Sequence, residues 1–296
     1  MFSLQRIQLK SKKSTMKINK ILVPVDFSES AVNAINWACN LAEKLQAEII
    51  LFNAFEIKKS FYENESFNDI MVLTKDIKDE KKEKLKELAL HTGYKKKIVF
   101  DYLAESGSLQ NTLKDVVEKT NSDLVIMGSA GAEDQRNYLF GSNATDIIRS
   151  MALPLLIVPV KSTFSELKSI VFASTFSIED LEPILFLSAL SNQVDAKLTL
   201  LHIANDDIET EENRMADYRI LIDRNNPGKT IYYELLYHET ILDGINEYIK
   251  TNDVDLLGVN HRVRHNFFDD FLNPSLSEDM GLYANAPVMV FSTENL

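Results

Sequence analysis

The stretch "KINKILVPVDFSESAVNAINWACNLAEKLQAEIILFNAF" (17–55) decides the fold. Its run Ile21 to Val25 is short, apolar and rich in β-branched residues. That composition reads as a strand buried on both faces rather than an alternating, half-exposed one. Ser28 and Glu29 then open a helix in which Ala31, Ile35, Ala38, Leu41, Ala42 and Leu45 recur at the spacing of one helical face. "AEIILFNAF" returns to an apolar strand. Two such strands joined by a helix predict a parallel pair, because parallel neighbours need a crossover connection.

The alternation continues outward. A charged helix around "TKDIKDEKKEKLKELALHTGY", with Gly93 as its C-cap, leads to strand "KIVFDYLA", helix "SLQNTLKDVVEKT", strand "DLVIMG", helix "NATDIIRSMA" and strand "PLLIVPV". Five strands alternating with helices make one doubly wound unit. The pattern is then written again. "LKSIVFASTFS" (167–177) matches "INKILVPVDFS" (18–28), and "DAKLTLLHIA", "KTIYYELL", "TNDVDLLGV" and "NAPVMVFS" match the later strands in order. The offset is 149 residues at the first strand and 133 at the last, so the second copy is shorter, mainly around its second helix. An internal repeat of this length decides the architecture. The expectation is an α/β protein of two tandem doubly wound domains, each a five-stranded parallel sheet flanked by helices. They would span 17–160 and 165–296, joined by a short linker around "KSTFSEL". Residues 1–16 are expected to be a disordered basic tail or to precede the natural start.

Composition narrows the function. The net charge of −12 disfavours phosphate-neutralising nucleic-acid binding. No apolar run reaches the roughly 18 residues of a membrane span. The single Cys39 cannot form an internal disulfide and sits on a helix face, so a reducing, cytoplasmic setting is expected.

Chemistry is expected at the carboxyl ends of the strands, where a doubly wound sheet binds its ligands. In the first copy those ends carry Asp26, Ala54, Ala104 and Gly128. Asp26 can accept hydrogen bonds from a ribose hydroxyl or an amine, and Ala54 is small enough to flank a planar base. The chain has only nine glycines, yet Gly128, Gly131 and Gly141 fall within fourteen residues, in "IMGSAGAEDQRNYLFGSNATDII" (126–148). Glycines let the backbone turn and approach a ligand closely. Gly141, Ser142 and Asn143 lead into a helix start, whose N–H groups and positive dipole end attract anions. A glycine-bounded loop ending at a helix N-terminus suits a nucleotide's phosphates.

Here the chain resembles the universal stress protein family, as a tandem form with two family domains in one polypeptide. The family's ATP-binding signature, G-x2-G-x9-G-(S/T), matches residues 128 to 142, and "ILVPVDFSESAVNAINWA" resembles the family's first strand and helix. The resemblance covers about residues 17 to 293. It implies a Rossmann-like fold of the adenine nucleotide alpha hydrolase type. It implies further that Asp26 and Ala54 contact the nucleoside, that Met127 and Gly128 line the pocket, and that Gly131, Gly141, Ser142 and Asn143 hold the phosphates. Asn143 departs from the hydrophobic residue common at its position but keeps its backbone N–H. The expected ligand is ATP, with Mg²⁺ as its companion; AMP or another adenine nucleotide stays open. Family domains pair through their last strands, which implies an intrachain pseudo-dimer, with homodimerisation of the whole chain as a further option.

The second copy departs from the signature. Thr175 stands where Asp26 does, His261 is read at the place of the second glycine, and "NPS" (273–275) stands near Gly141-Ser142. Pro274 has no N–H to donate. This copy is not expected to bind ATP in the family manner. No Walker-type loop, nucleophile elbow or identifiable catalytic pair is present, so no catalytic residue is assigned and no metal site is expected. The expected function is a nucleotide-dependent sensor or regulator in a stress response. In it, ligand occupancy would order the 129–141 loop and bias a partner surface. A slow ATP-hydrolysing or nucleotide-transferring enzyme, and a scaffold that binds no nucleotide, are the alternatives.

Overall fold

The computed structural model describes residues 17–57, 66–92, 97–129, 147–148, 153–164, 166–204, 207–227, 229–261 and 286–292. In the first half, β1 (Lys20–Pro24), α1 (Glu29–Leu45), β2 (Glu48–Phe55), α2 (Phe67–Thr92), β3 (Phe100–Ser106), α3 (Leu109–Thr120), β4 (Leu124–Ser129) and β5 (Leu155–Pro159) follow in order. The second half runs β6 (Ser169–Ala173), a 3₁₀ turn (Ile178–Asp180), α4 (Leu181–Val194), β7 (Lys197–Ala204), α5 (Ile208–Asn225), β8 (Tyr232–Tyr237), α6 (Ile241–Thr251), β9 (Leu256–His261) and β10 (Val288–Ser292). The expected alternation is present in both halves among the described residues; the helix expected before β5, "NATDIIRSMA", lies outside them except for residues 147–148. The shortening falls where the sequence places it: α5 has 18 residues against 26 in α2.

All ten strands form one sheet in the order β3-β2-β1-β4-β5-β10-β9-β6-β7-β8. Pairing is parallel within each half and antiparallel between β5 and β10, where Leu156 faces Met289. The first five strands and the last five therefore point their carboxyl ends toward opposite rims. Helices cover both faces. The core on one face joins α1, α2, α4 and α5 through Ile35, Leu41, Leu85, Leu187 and Ile222. The core on the other joins α3 and α6 through Leu113, Val116 and Ile245. Every strand central to the sheet is thus buried on both sides, which is why these segments read as continuous apolar runs.

The repeat extends to individual hydrogen bonds. Asp123 Oδ2 accepts from the N–H groups of Asn19 and Lys20 at 2.7 and 3.0 Å, pinning the start of β1 to that of β4. Asp255 Oδ2 does the same for Lys168 and Ser169 at 2.7 and 2.9 Å. Phe27 and Phe176, 149 positions apart, both take left-handed backbone angles, with φ of 67° and 54°. A bulky residue there costs roughly 1–3 kcal/mol, so the surrounding contacts must over-determine the turn.

The linker is fastened to α1. Asn33 Nδ2 donates to Pro159 O and Ser162 O at 2.8 Å each, and the Trp37 indole N–H donates to Ser162 O at 2.9 Å. The Trp37 ring meets Phe164 edge to face, 4.8 Å between centroids. Among the described residues no helix is long and apolar enough to cross a membrane.

Candidate functional site

In the first half the strand order reverses between β1 and β4, and a cavity of about 310 Å³ opens at their carboxyl ends. Four of the eight residues expected to hold a nucleotide, Asp26, Ala54, Met127 and Gly128, line it together. The other four, Gly131, Gly141, Ser142 and Asn143, lie outside the described residues, as does Gly93. Sequence reading missed one wall: Gly107, Ser108, Leu109 and Gln110, the turn from β3 into α3. The letters Gly107-Ser108 before a helix mark a turn, and in the structure Gly107 takes a φ of +138° and Ser108 caps α3 by accepting from Asn111 N–H, but nothing local says that this turn faces the cavity. Glu56, just after β2, and Ser30 and Ala31, at the start of α1, also line it.

The Asp26 side chain is held rather than loose. Its Oδ1 accepts from the Ser28 N–H at 2.9 Å and from the Ser28 hydroxyl at 2.5 Å, closing the left-handed turn at Phe27. Ser28 is also the N-cap of α1, accepting from Ala31 N–H at 3.3 Å. Two carboxylates, Asp26 and Glu56, line the cavity, and among the described residues no lysine or arginine does. The described walls therefore suit hydroxyl, amine and apolar groups rather than an anion.

Gly128 is a glycine for a reason the sequence reading did not supply. A positive φ was expected to bring the backbone to a ligand, but its φ lies outside the left-handed region. Instead, a Cβ there would stand 2.1 Å from Ser30 O, inside the first turn of α1. The missing side chain lets α1 sit against the end of β4, and the cavity is formed beside that contact.

The same register corrects the reading of the second half. β1 pairs Ile21 with Leu124, and β6 pairs Ile170 with Leu256. Asn260 therefore stands at the place of Gly128, and His261 at that of Ser129, not of the second glycine. Asn260 Nδ2 donates to Glu179 O and to Asp180 Oδ1, both at 3.1 Å. Glu179 and Asp180 correspond to Ser30 and Ala31. Asp180 is buried, and its Oδ2 takes the Ser174 hydroxyl and the Thr175 N–H at 3.0 Å each. Ile203 stands at the place of Ala54 and packs on Gly244 of α6. His202, at the place of Asn53, stacks on Phe176 at 4.1 Å and keeps the contact its counterpart makes. Its Nδ1 lies 2.7 Å from Ser174 O, as Asn53 Nδ2 lies 2.7 Å from Val25 O. Glu211 of α5 reaches the other ring nitrogen at 3.2 Å and binds Arg214 at 2.6 Å. Among the described residues, the strand ends of the second half are thus tied to one another by the protein's own side chains.

Fold and cavity define a doubly wound α/β protein with a ligand-sized crevice at its first switch point. Comparison with known proteins gives the family. The model of the universal stress protein family matches residues 17–159, so this segment is a domain of that family. Universal stress protein MJ0531 of Methanocaldococcus jannaschii is 28% identical over 141 residues, 47% of this chain and 81% of the relative. Universal stress protein A of Escherichia coli K12 is 27% identical over 146 residues, 49% of this chain and 97% of the relative. A crystal structure of a universal stress protein from Archaeoglobus fulgidus superposes with a TM-score of 0.70 at 16% identity, covering 93% of this chain and 99% of that one. A protein of Pseudomonas aeruginosa PAO1 superposes with a TM-score of 0.57 at 14% identity, covering 95% of each chain.

Proposed function

We propose that this protein binds an adenine nucleotide, ATP by preference, in the first half, and acts as a nucleotide-dependent sensor in a stress response. The observation that carries the reading is the cavity at the switch point. Its volume of about 310 Å³ sits near the lower end of ligand pockets, roughly 300–1,000 Å³, which suits a nucleoside rather than a whole triphosphate. Asp26 would accept from ribose hydroxyls, and Ala54 and Met127 would flank the base. The acidic lining repels phosphates, so these would extend past Gly128 toward Gly131, Gly141, Ser142 and Asn143, with Mg²⁺ carried alongside them. Residues 17–160 and 165–296 act as two units of one fold, paired within the chain along β5 and β10, and the second unit serves as scaffold and partner surface.

Isothermal titration calorimetry with ATP, with and without Mg²⁺, tests the reading. Wild type should bind. Ala54→Ile, which copies the second half, and the double variant Gly131→Val, Gly141→Val should each weaken binding at least about tenfold, the worth of one lost charge-assisted hydrogen bond or one filled subsite. Absence of heat with wild type would leave the molecule as a scaffold without nucleotide.

A further inference from the structure

The hydrogen bonds around Ser28 account for every donor and acceptor its hydroxyl has. A serine hydroxyl carries one proton and two lone pairs. The proton goes to Asp26 Oδ1, 2.5 Å away, because an ionised carboxylate only accepts. The Ser30 hydroxyl, 2.9 Å from Ser28 Oγ, must then be the donor of that pair, and Ala31 N–H takes the second lone pair at 3.3 Å. The Ser28 N–H adds a second bond to Asp26 Oδ1 at 2.9 Å. Ser28 thereby ties together three residues of the cavity wall, Asp26, Ser30 and Ala31. It commits one carboxylate oxygen of Asp26 to the fold and leaves the other for a ligand.

We propose that Ser28 is a positioning residue that fixes Asp26 so that its second oxygen reads the vicinal diol of a ribose. The proposal rests on the nucleotide reading above. Charge-assisted bonds gain their strength from alignment, and a carboxylate that rotates freely loses that advantage. The second half supplies an internal contrast. Ser177 stands at the same place and caps the following turn by accepting from Glu179 N–H at 3.3 Å, but Thr175 offers it no carboxylate to hold. The hydroxyl alone is a capping device; the Asp-x-Ser arrangement at 26–28 is what turns it toward recognition.

The experiment measures affinity for ATP and for 2′,3′-dideoxyATP in wild type, Ser28→Ala, Ser28→Thr and Asp26→Asn. Wild type should prefer ATP by about tenfold or more, the worth of an aligned charge-assisted bond. Ser28→Ala should bring that ratio close to one, Ser28→Thr should restore it, and Asp26→Asn should abolish it while keeping an acceptor for the Phe27 turn. Loss of the cap alone lowers the melting temperature of Ser28→Ala but leaves the ratio untouched. A ratio unchanged in Ser28→Ala, or no preference in wild type, overturns the proposal while the nucleotide reading stands. If wild type binds no adenine nucleotide, the reading fails, and the Asp26 Hα–Hβ couplings by NMR decide the positioning role. A single rotamer in wild type that averages in Ser28→Ala supports it, and the same rotamer in both overturns it.

Discussion

Gly128 and Asn260 show how one position sets the contact between a strand end and the helix start beside it. At the first position the absence of a side chain lets the Ser30 carbonyl lie against the strand end, and the space beside it stays open. At the second, an amide reaches across to the counterpart carbonyl and to Asp180. Gly128→Ala should cost about 3 kcal/mol, the upper end for overpacking, because the obstructing atom belongs to the backbone and cannot rotate away. Chemical denaturation reads this as a lower midpoint with an unchanged slope. The glycine itself was legible in the sequence, since three glycines in fourteen residues stand out in a chain with nine. Its reason was not. A steric requirement set by a helix a hundred residues earlier leaves no local trace, and a turn or a phosphate contact would have produced the same letter.

At the scale of elements, α1 connects three things the sequence presents separately. Its first turn lines the cavity, its middle holds the linker carbonyls through Asn33 and Trp37, and its apolar face packs on the sheet. Trp37→Phe keeps the ring and removes the donor, leaving Ser162 O with one fewer partner in a buried place. Asn33 still donates to that oxygen, so the expected loss is about 0.5–1.5 kcal/mol, the net worth of one hydrogen bond, seen as a shift of the unfolding midpoint. Trp37 is the only tryptophan, so its fluorescence reports on the linker directly. The helix itself was plain from its apolar spacing and from Ser28 before Glu29. Its grip on the linker was not, because Asn33 and Trp37 sit at ordinary helical positions and their partners come more than 120 residues later. The wall formed by Gly107 to Gln110 escaped notice for a related reason. Two helix starts converge on one cavity only after the sheet brings β1 and β3 to opposite sides of β2.

For the whole molecule, the repeat was legible strand by strand, and the reversal at β5 and β10 gives it consequences. The two sets of strand ends lie at opposite rims of one sheet: the first borders the cavity, and in the second Asn260 is bonded to Asp180. Titration should give one nucleotide per chain, because Thr175 and Asn260 replace Asp26 and Gly128 in the second half; two per chain, by calorimetric stoichiometry or equilibrium dialysis, would contradict this. The β5–β10 seam has a further effect, through mass action. When two separate chains pair along an edge, dilution pulls them apart, and the pair's apparent stability rises and falls with concentration. Here the partner edge is tethered by the chain itself, so it is present at every concentration. A copy that is always on hand no longer has to bind ligand to be retained, and it is free to replace residues such as Asp26 and Gly128 with the Thr175 and Asn260 found there.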